Sequence, residues 1–288
     1  MPSSRPCGTR ERRGPETIPA NIAIYAVFLG WTLLCLPLGF ALSLLCRCAP
    51  GRFSRLARKA IWAYGRGMLR LLHPWLPVRI DDPSTALRHA PCILVANHQS
   101  FLDIYLLGAQ DQSDLCLVSK SWPHRLLFFF APMMRSAGYI DAQSLDAATV
   151  HARCRERIAD GATLVFFPEG RRSRDGNLGR FHAGAFLLAL EEGVPVVPLA
   201  IMDSFRACPP GSLRFRPGGI HMAVLPPMHP PRADDPLAHR TFMRSVRTAF
   251  LQALPEGADG QGHAPHGESP DNTARPPHGN AVQSSPIP

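Results

Sequence analysis

Residues 92–103 read CILVANHQSFLD, five apolar residues that run without a break into Asn97, His98, Gln99 and Ser100, with Asp103 closing the segment. A short apolar run bounded by polar turn residues reads as a strand buried on both faces. His98 is therefore expected at the carboxyl end of a buried strand. An acid five residues further on can set a carboxylate against one imidazole nitrogen. That contact fixes the tautomer and leaves the other nitrogen available as a general base. Taken alone, His-x4-Asp also describes a surface-loop histidine beside a solvated aspartate, and this is the plainer reading of the pair.

Outward from this segment the pattern alternates. Further β-rich runs occur at Val78–Asp81, Leu115–Val118, Thr163–Phe167, Val194–Ile201 and Ile220–Leu225. Helical patterns fall at Ile104–Ala109, Arg125–Ser136, Leu145–Asp160, Gly184–Glu192 and Leu237–Leu251, the third stopped by Gly161. Strand–helix alternation predicts an α/β domain over residues 78–254, with a substantially parallel sheet and its working loops at the strand carboxyl ends. The tail 255–288 is rich in Pro, Gly, Ser, Asn and His and is expected to be disordered.

The amino-terminal side has a different character. A basic segment, 1–17, precedes Ile18–Cys46, which holds no charged residue and is long enough to cross a hydrocarbon core of about 20 residues. With Pro37 inside, it is expected to be a transmembrane or re-entrant anchor over 18–46. Residues 47–77 follow with apolar positions at helical spacing and a cationic face, and are expected to form an amphipathic helix on anionic lipid. The formal charge is +9, from 31 basic and 22 acidic side chains. Eight of the basic residues lie between 47 and 80, where no acid occurs, so the excess belongs to the membrane-proximal segment. The positive-inside rule then puts the following domain in the cytoplasm. Eight scattered cysteines with no CxxC pair fit reduced thiols on that side and give no metal site.

A second constellation closes the run Thr163–Phe167. Phe166 and Phe167 lead into Pro168, Glu169, Gly170, Arg171, Arg172, Ser173 and Arg174, a turn whose guanidinium groups and glycine backbone suit an anion. A basic turn after a strand is common, but two such strand ends in one α/β domain face the same sheet edge. NHQSFLD resembles the NHxxxxD motif, and FFPEGRRS the FPEGTRS motif, of the 1-acyl-glycerol-3-phosphate (lysophospholipid) acyltransferase family. VPVVPL at 194–199 is similar to that family's VPIVPV block, and the resemblance covers about residues 75–230.

The resemblance implies a mixed α/β sheet with flanking helices, of the glycerolipid-acyltransferase kind, behind an N-terminal membrane helix and a basic amphipathic helix. It implies His98 as the base that deprotonates an acceptor hydroxyl and Asp103 as its orienting partner, supported by Asn97, Phe167 and Pro168 of the motifs. It implies Lys120, Glu169, Gly170, Arg171, Arg172 and Ser173 around the acceptor or the developing oxyanion. The substrates would be a lysophospholipid, foremost lysophosphatidate, and acyl-CoA or acyl-carrier-protein, with no cofactor or metal. The location would be a bacterial inner membrane or its equivalent. The chain departs from the pattern twice. Arg171 stands where the family has Thr, and the GYIDA segment at 138–142 lacks the Arg that ends the corresponding family block. Acylation of another acceptor, such as a lyso-ornithine lipid, and a catalytically inactive lipid-binding relative are the alternatives. The apolar run Leu126–Met134 would line an acyl groove, touch lipid or form an ordinary core helix. No G-x-S-x-G elbow supports a serine hydrolase, and no aromatic stacking platform supports nucleic-acid binding.

Overall fold

The structure, a computed structural model, describes residues 17–49, 51–82, 87, 91–119, 131–232 and 237–254. The basic segment up to residue 16, residues 120–130 (with Lys120 and the first five residues, 126–130, of the apolar run) and the tail 255–288 lie outside the described residues. Helix α1 (Thr17–Cys48) leads to α2 (Ser54–Leu72), and strands and helices then alternate. They are β1 (Val78–Asp81), β2 (Ile93–Ala96), α3 (Asp103–Leu106) with a 3-10 turn at Leu107–Ala109, β3 (Leu115–Ser119), α4 (Ala131–Ser136) and β4 (Ile140–Asp141). There follow α5 (Ala147–Ala159), β5 (Thr163–Phe166), α6 (Gly184–Glu192), β6 (Val196–Met202), α7 (Ser204–Ala207), β7 (Ile220–Val224) and α8 (Ala238–Ala253).

The strands make one sheet in the order β1-β7-β6-β2-β5-β3-β4. β7 runs antiparallel to β6, β1 runs parallel to β7, and the other pairings are parallel. The sheet is thus mixed, and β2 lies between β6 and β5 with all four residues buried. Its side chains alternate between two cores, which is why its apolar run has no polar break. Leu94 and Ala96 enter the core under α1 and α2, whereas Ile93 and Val95 enter the core under α5, α6 and α8. The parallel register pairs Val95 with Phe166 and Ala96 with Leu199. Continued past the strand ends, it brings His98 level with Glu169, so topology alone juxtaposes the two motifs.

Two short elements, β4 and α7, were not anticipated; two and four residues are too few to show a period. The amino-terminal helices differ from expectation in larger ways. α1 is unbroken through Pro37, so no re-entrant hairpin forms within 18–46. Nor does α1 stand away from the domain. Asn21 exchanges hydrogen bonds with the Phe215 backbone at 2.7 and 2.8 Å, Trp31 Nε1 donates to the Tyr64 carbonyl at 3.0 Å, and Leu42 and Cys46 pack with Ala57 and Met133. The helix is docked from residue 21 to residue 46, roughly 37 Å of its axis. Ile24 on that face is fully buried, while Ile22, Leu29, Leu33 and Leu44 are exposed on the opposite one. α2 likewise is not a free surface helix. One of its cations, Arg58, is only 1% exposed, and it pairs through Nε with Asp114 while donating to the Ala137 carbonyl at 3.1 Å. The exposed cations of the helix are consequently Arg55, Lys59 and Arg70, with Arg66 half-buried over the Trp62 ring. The seven described cysteines are all free.

Candidate active site

Asp103 is the first residue of α3 and is fully buried. Its Oδ2 accepts hydrogen bonds from the backbone N–H groups of Gln99 (2.6 Å) and Ser100 (2.8 Å) and lies 2.8 Å from His98 Nδ1. The turn between histidine and aspartate thus closes on the carboxylate itself, which is why a spacing of five residues is required. Among the described residues Asp103 Oδ1 has no hydrogen-bond partner. Nε2 of His98 has no protein partner among the described residues. The side chain is 13% exposed, open enough for a substrate and closed to bulk water.

The second motif holds the histidine in place. His98 N–H donates to Glu169 Oε1 at 2.8 Å, and the His98 carbonyl accepts from Ser173 N–H at 2.7 Å. The Phe167 ring stacks on the imidazole with centroids 4.2 Å apart and planes inclined by 25°. Gly170 has φ +65°, a left-handed turn residue that a β-carbon would disfavour, and its N–H closes the turn onto the Phe167 carbonyl at 3.0 Å. Glu169 Oε2 accepts from Gly179 N–H at 2.8 Å. A β-carbon on Gly179 would stand 2.7 Å from that oxygen, so the close approach requires glycine there. Burial pushes the Glu169 pKa above the usual carboxylate range, against the pull of these two backbone donors.

These contacts show how the second motif is held. Both oxygens of Glu169 accept from backbone N–H groups, and the residue is 6% exposed, so it ties three loops together. The Ser173 hydroxyl is taken up by Asp175 (2.9 Å) and Gly176 (3.0 Å) within its own turn. Asn97 is a brace as well, its amide bonding both the N–H and the carbonyl of Ile201 on β6. Pro168 is buried, and its carbonyl accepts from His182 N–H at 2.8 Å. Arg171 is exposed. Arg172 is half-buried and close to Cys208, whose thiol burial pushes up and Arg172 pulls down. Lys120, one residue past β3, lies outside the described residues. Ala142, where the family block ends in Arg, is exposed at the carboxyl end of β4, on the edge that carries His98. Gly179 and Ile201 belong to the site's framework and carried no recognisable signal; only the carboxylate and amide that reach them identify them.

Comparison with known proteins fits this geometry. A family model described as Acyltransferase matches residues 77–202. The lyso-ornithine lipid O-acyltransferase of Pseudomonas aeruginosa is 30% identical over 198 residues, covering 61% of this chain and 74% of that protein. The chain belongs to the acyltransferase family. A chloroplastic 1-acyl-sn-glycerol-3-phosphate acyltransferase of Brassica napus is 38% identical over 152 residues, 50% of this chain and 42% of the relative. The chain thus spans less than half the length of that relative. Among solved structures, the 1-acyl-sn-glycerophosphate acyltransferase of Thermotoga maritima superposes with a TM-score of 0.62 at 20% identity, covering 82% of this chain and 98% of that one, which shows a shared fold.

Proposed function

We propose that the protein is an O-acyltransferase that moves a fatty acyl group from a thioester to the hydroxyl of a lysophospholipid, with lysophosphatidate as acceptor and phosphatidate as product. The observation that carries this reading is the His98–Asp103 pair. Nδ1 is committed to a buried carboxylate at 2.8 Å, Nε2 is unoccupied, and the backbone is pinned on both sides by the second motif. In this reading Nε2 removes the acceptor's hydroxyl proton as its oxygen attacks the thioester carbonyl. The tetrahedral intermediate collapses with formation of the ester C–O bond and cleavage of the C–S bond. The departing thiolate then recovers the proton from His98. No acyl-enzyme is needed, because a thioester is already activated. Arg171 and Arg172, cations of the second motif, are assigned to the anionic head group.

The proposed location is the face of a membrane, with α1 lying along the surface. α1 is long and apolar enough to cross a bilayer. A crossing orientation, however, would carry α2 and its cations into the hydrocarbon beside it, at a cost of several kcal/mol. The exposed stripe of Ile22, Leu29, Leu33 and Leu44 supports burial in one leaflet, with the rest of the domain on one side.

The test is an acceptor panel of lysophosphatidate, lyso-ornithine lipid and lysophosphatidylglycerol, supplied with acyl-CoA and with acyl-carrier-protein. Highest kcat/KM with lysophosphatidate supports the assignment. Preference for lyso-ornithine lipid, the acceptor in the Pseudomonas relative's name, would replace it; Ala142 in place of the family's Arg is the observation that favours this second acceptor.

A further inference from the structure

On the face of the sheet away from α1 and α2, a cleft of about 310 Å³ opens between α8 and the segment that follows the second motif. Arg180, Arg244 and Arg247 line it, together with Leu178, Phe181 and Met243. No carboxylate lines the cleft, and among the described residues none of the three arginines is in an ion pair. Arg180 and Arg244 are exposed, while Arg247 donates through Nη2 to the Leu178 carbonyl at 3.3 Å and so ties α8 to the segment. Phe181 packs edge-on against Phe250 of α8 with centroids 5.6 Å apart, which fixes the cleft floor. Three guanidinium groups that pair with no carboxylate among the described residues, above an apolar and aromatic floor, match a ligand that presents phosphates beside a flat ring.

The cleft adjoins the catalytic pair. Gly179, which also lines it, donates to Glu169 Oε2 at 2.8 Å, and the other oxygen of the same carboxylate holds His98 N–H at 2.8 Å. One buried carboxylate therefore links the cleft wall to the histidine backbone. The face matters too. Phe242, Val246 and Phe250 of α8 belong to the core opposite the one that contains Ile24 of α1 and Met68 of α2. A lipid surface against α1 does not meet these arginines, so membrane phosphates are a poor match for them.

We infer that the cleft formed by Arg180, Arg244 and Arg247 binds the phosphorylated nucleotide end of acyl-CoA. The donor thus enters from the α8 face, while the lipid acceptor enters from the α1 face. This inference rests on the proposed thioester-dependent acyl transfer and assigns its donor.

The experiment compares the full-length wild type, Arg180→Gln/Arg244→Gln and Arg247→Gln on mixed vesicles. Donors are acyl-CoA, acyl-pantetheine without the nucleotide, and acyl-carrier-protein. Binding of adenosine 3′,5′-bisphosphate is measured separately by calorimetry. Losing two charge-assisted phosphate contacts is expected to raise the KM for acyl-CoA by on the order of tenfold or more. It should weaken adenosine 3′,5′-bisphosphate binding in step, while kcat and the KM for acyl-pantetheine stay at wild-type values. The double variant touches only exposed side chains, so it reports on the ligand even where Arg247→Gln loosens α8. The assignment is overturned by an unchanged KM for acyl-CoA, by equal rises for acyl-CoA and acyl-pantetheine, or by an effect confined to acyl-carrier-protein or to vesicle binding. Wild-type turnover with acyl-carrier-protein alone overturns it as well and leaves the proposed reaction standing. If no donor is used at all, the proposed reaction fails, and the bisphosphate titration still decides whether the cleft takes a nucleotide.

Discussion

His98 is held at three atoms by different parts of the chain. Nδ1 is set by Asp103 through local sequence, and the backbone is set by Glu169 and Ser173, about 70 residues away. Removing the base in His98→Ala should lower kcat by about 10²–10⁴-fold with little change in the acceptor KM, measured by steady-state kinetics on mixed vesicles. Near-normal kcat in that variant would refute the assignment. For Glu169 the informative variable is pH. Burial raises its pKa, so the folded chain binds the proton more tightly than the unfolded one. Through this group stability is greatest below the ordinary glutamate pKa and declines as pH rises towards the raised value. Glu169→Gln has no such titration. The difference in melting temperature, Glu169→Gln minus wild type, should therefore shift in favour of the variant between acid and neutral pH, as followed by thermal melts across that window. Gly179→Ala tests the same carboxylate from the other side. A β-carbon 2.7 Å from Oε2 must displace Glu169, and a fall in kcat with the fold retained by circular dichroism is expected.

Among the elements, α2 shows most clearly what a pattern conceals. Its apolar spacing and run of cations were legible as an amphipathic helix, and a helix forms over Ser54–Leu72. That one of those cations turns inward was not legible, because the partner, Asp114, lies 56 residues on, in the loop before β3. Arg55 Nε also reaches Asp114, at 2.9 Å. Asp114→Ala leaves Arg58 buried without a counter-charge and should cost about 3–5 kcal/mol, read from chemical denaturation in detergent. Arg55→Ala, at an exposed position, should cost at most about 1 kcal/mol. The strand runs were readable within one or two residues, since a strand buried on both faces is a contiguous apolar run whatever its neighbours. β4 and α7 were not, being shorter than the periods that identify such elements.

Across the whole molecule, the two faces of the sheet have different duties. One carries α1 and α2 with an exposed apolar stripe, the other α5, α6 and α8 with the arginine cleft, and the catalytic pair sits on the edge between them. Replacing Leu29, Leu33 and Leu44 with serine removes only exposed apolar surface. That variant should lose vesicle binding in flotation assays while keeping its melting temperature. Deleting residues 1–46 should instead destabilise the domain, because Ile24 and its neighbours are part of the core.

By itself, the sequence determined six of the seven strands, the local pairing of His98 with Asp103, and where the positive charge is concentrated. These are properties of adjacent residues: an apolar run, a five-residue turn that closes on a carboxylate, and a stretch without acids. Only the tertiary structure decided that Glu169 and Ser173 hold the His98 backbone, that Arg58 is a core residue, that α1 lies along the domain, and that three arginines from two segments share one cleft. Each of these depends on strand order and register, which bring together residues tens to hundreds of positions apart and are set by how two apolar faces of one sheet are covered.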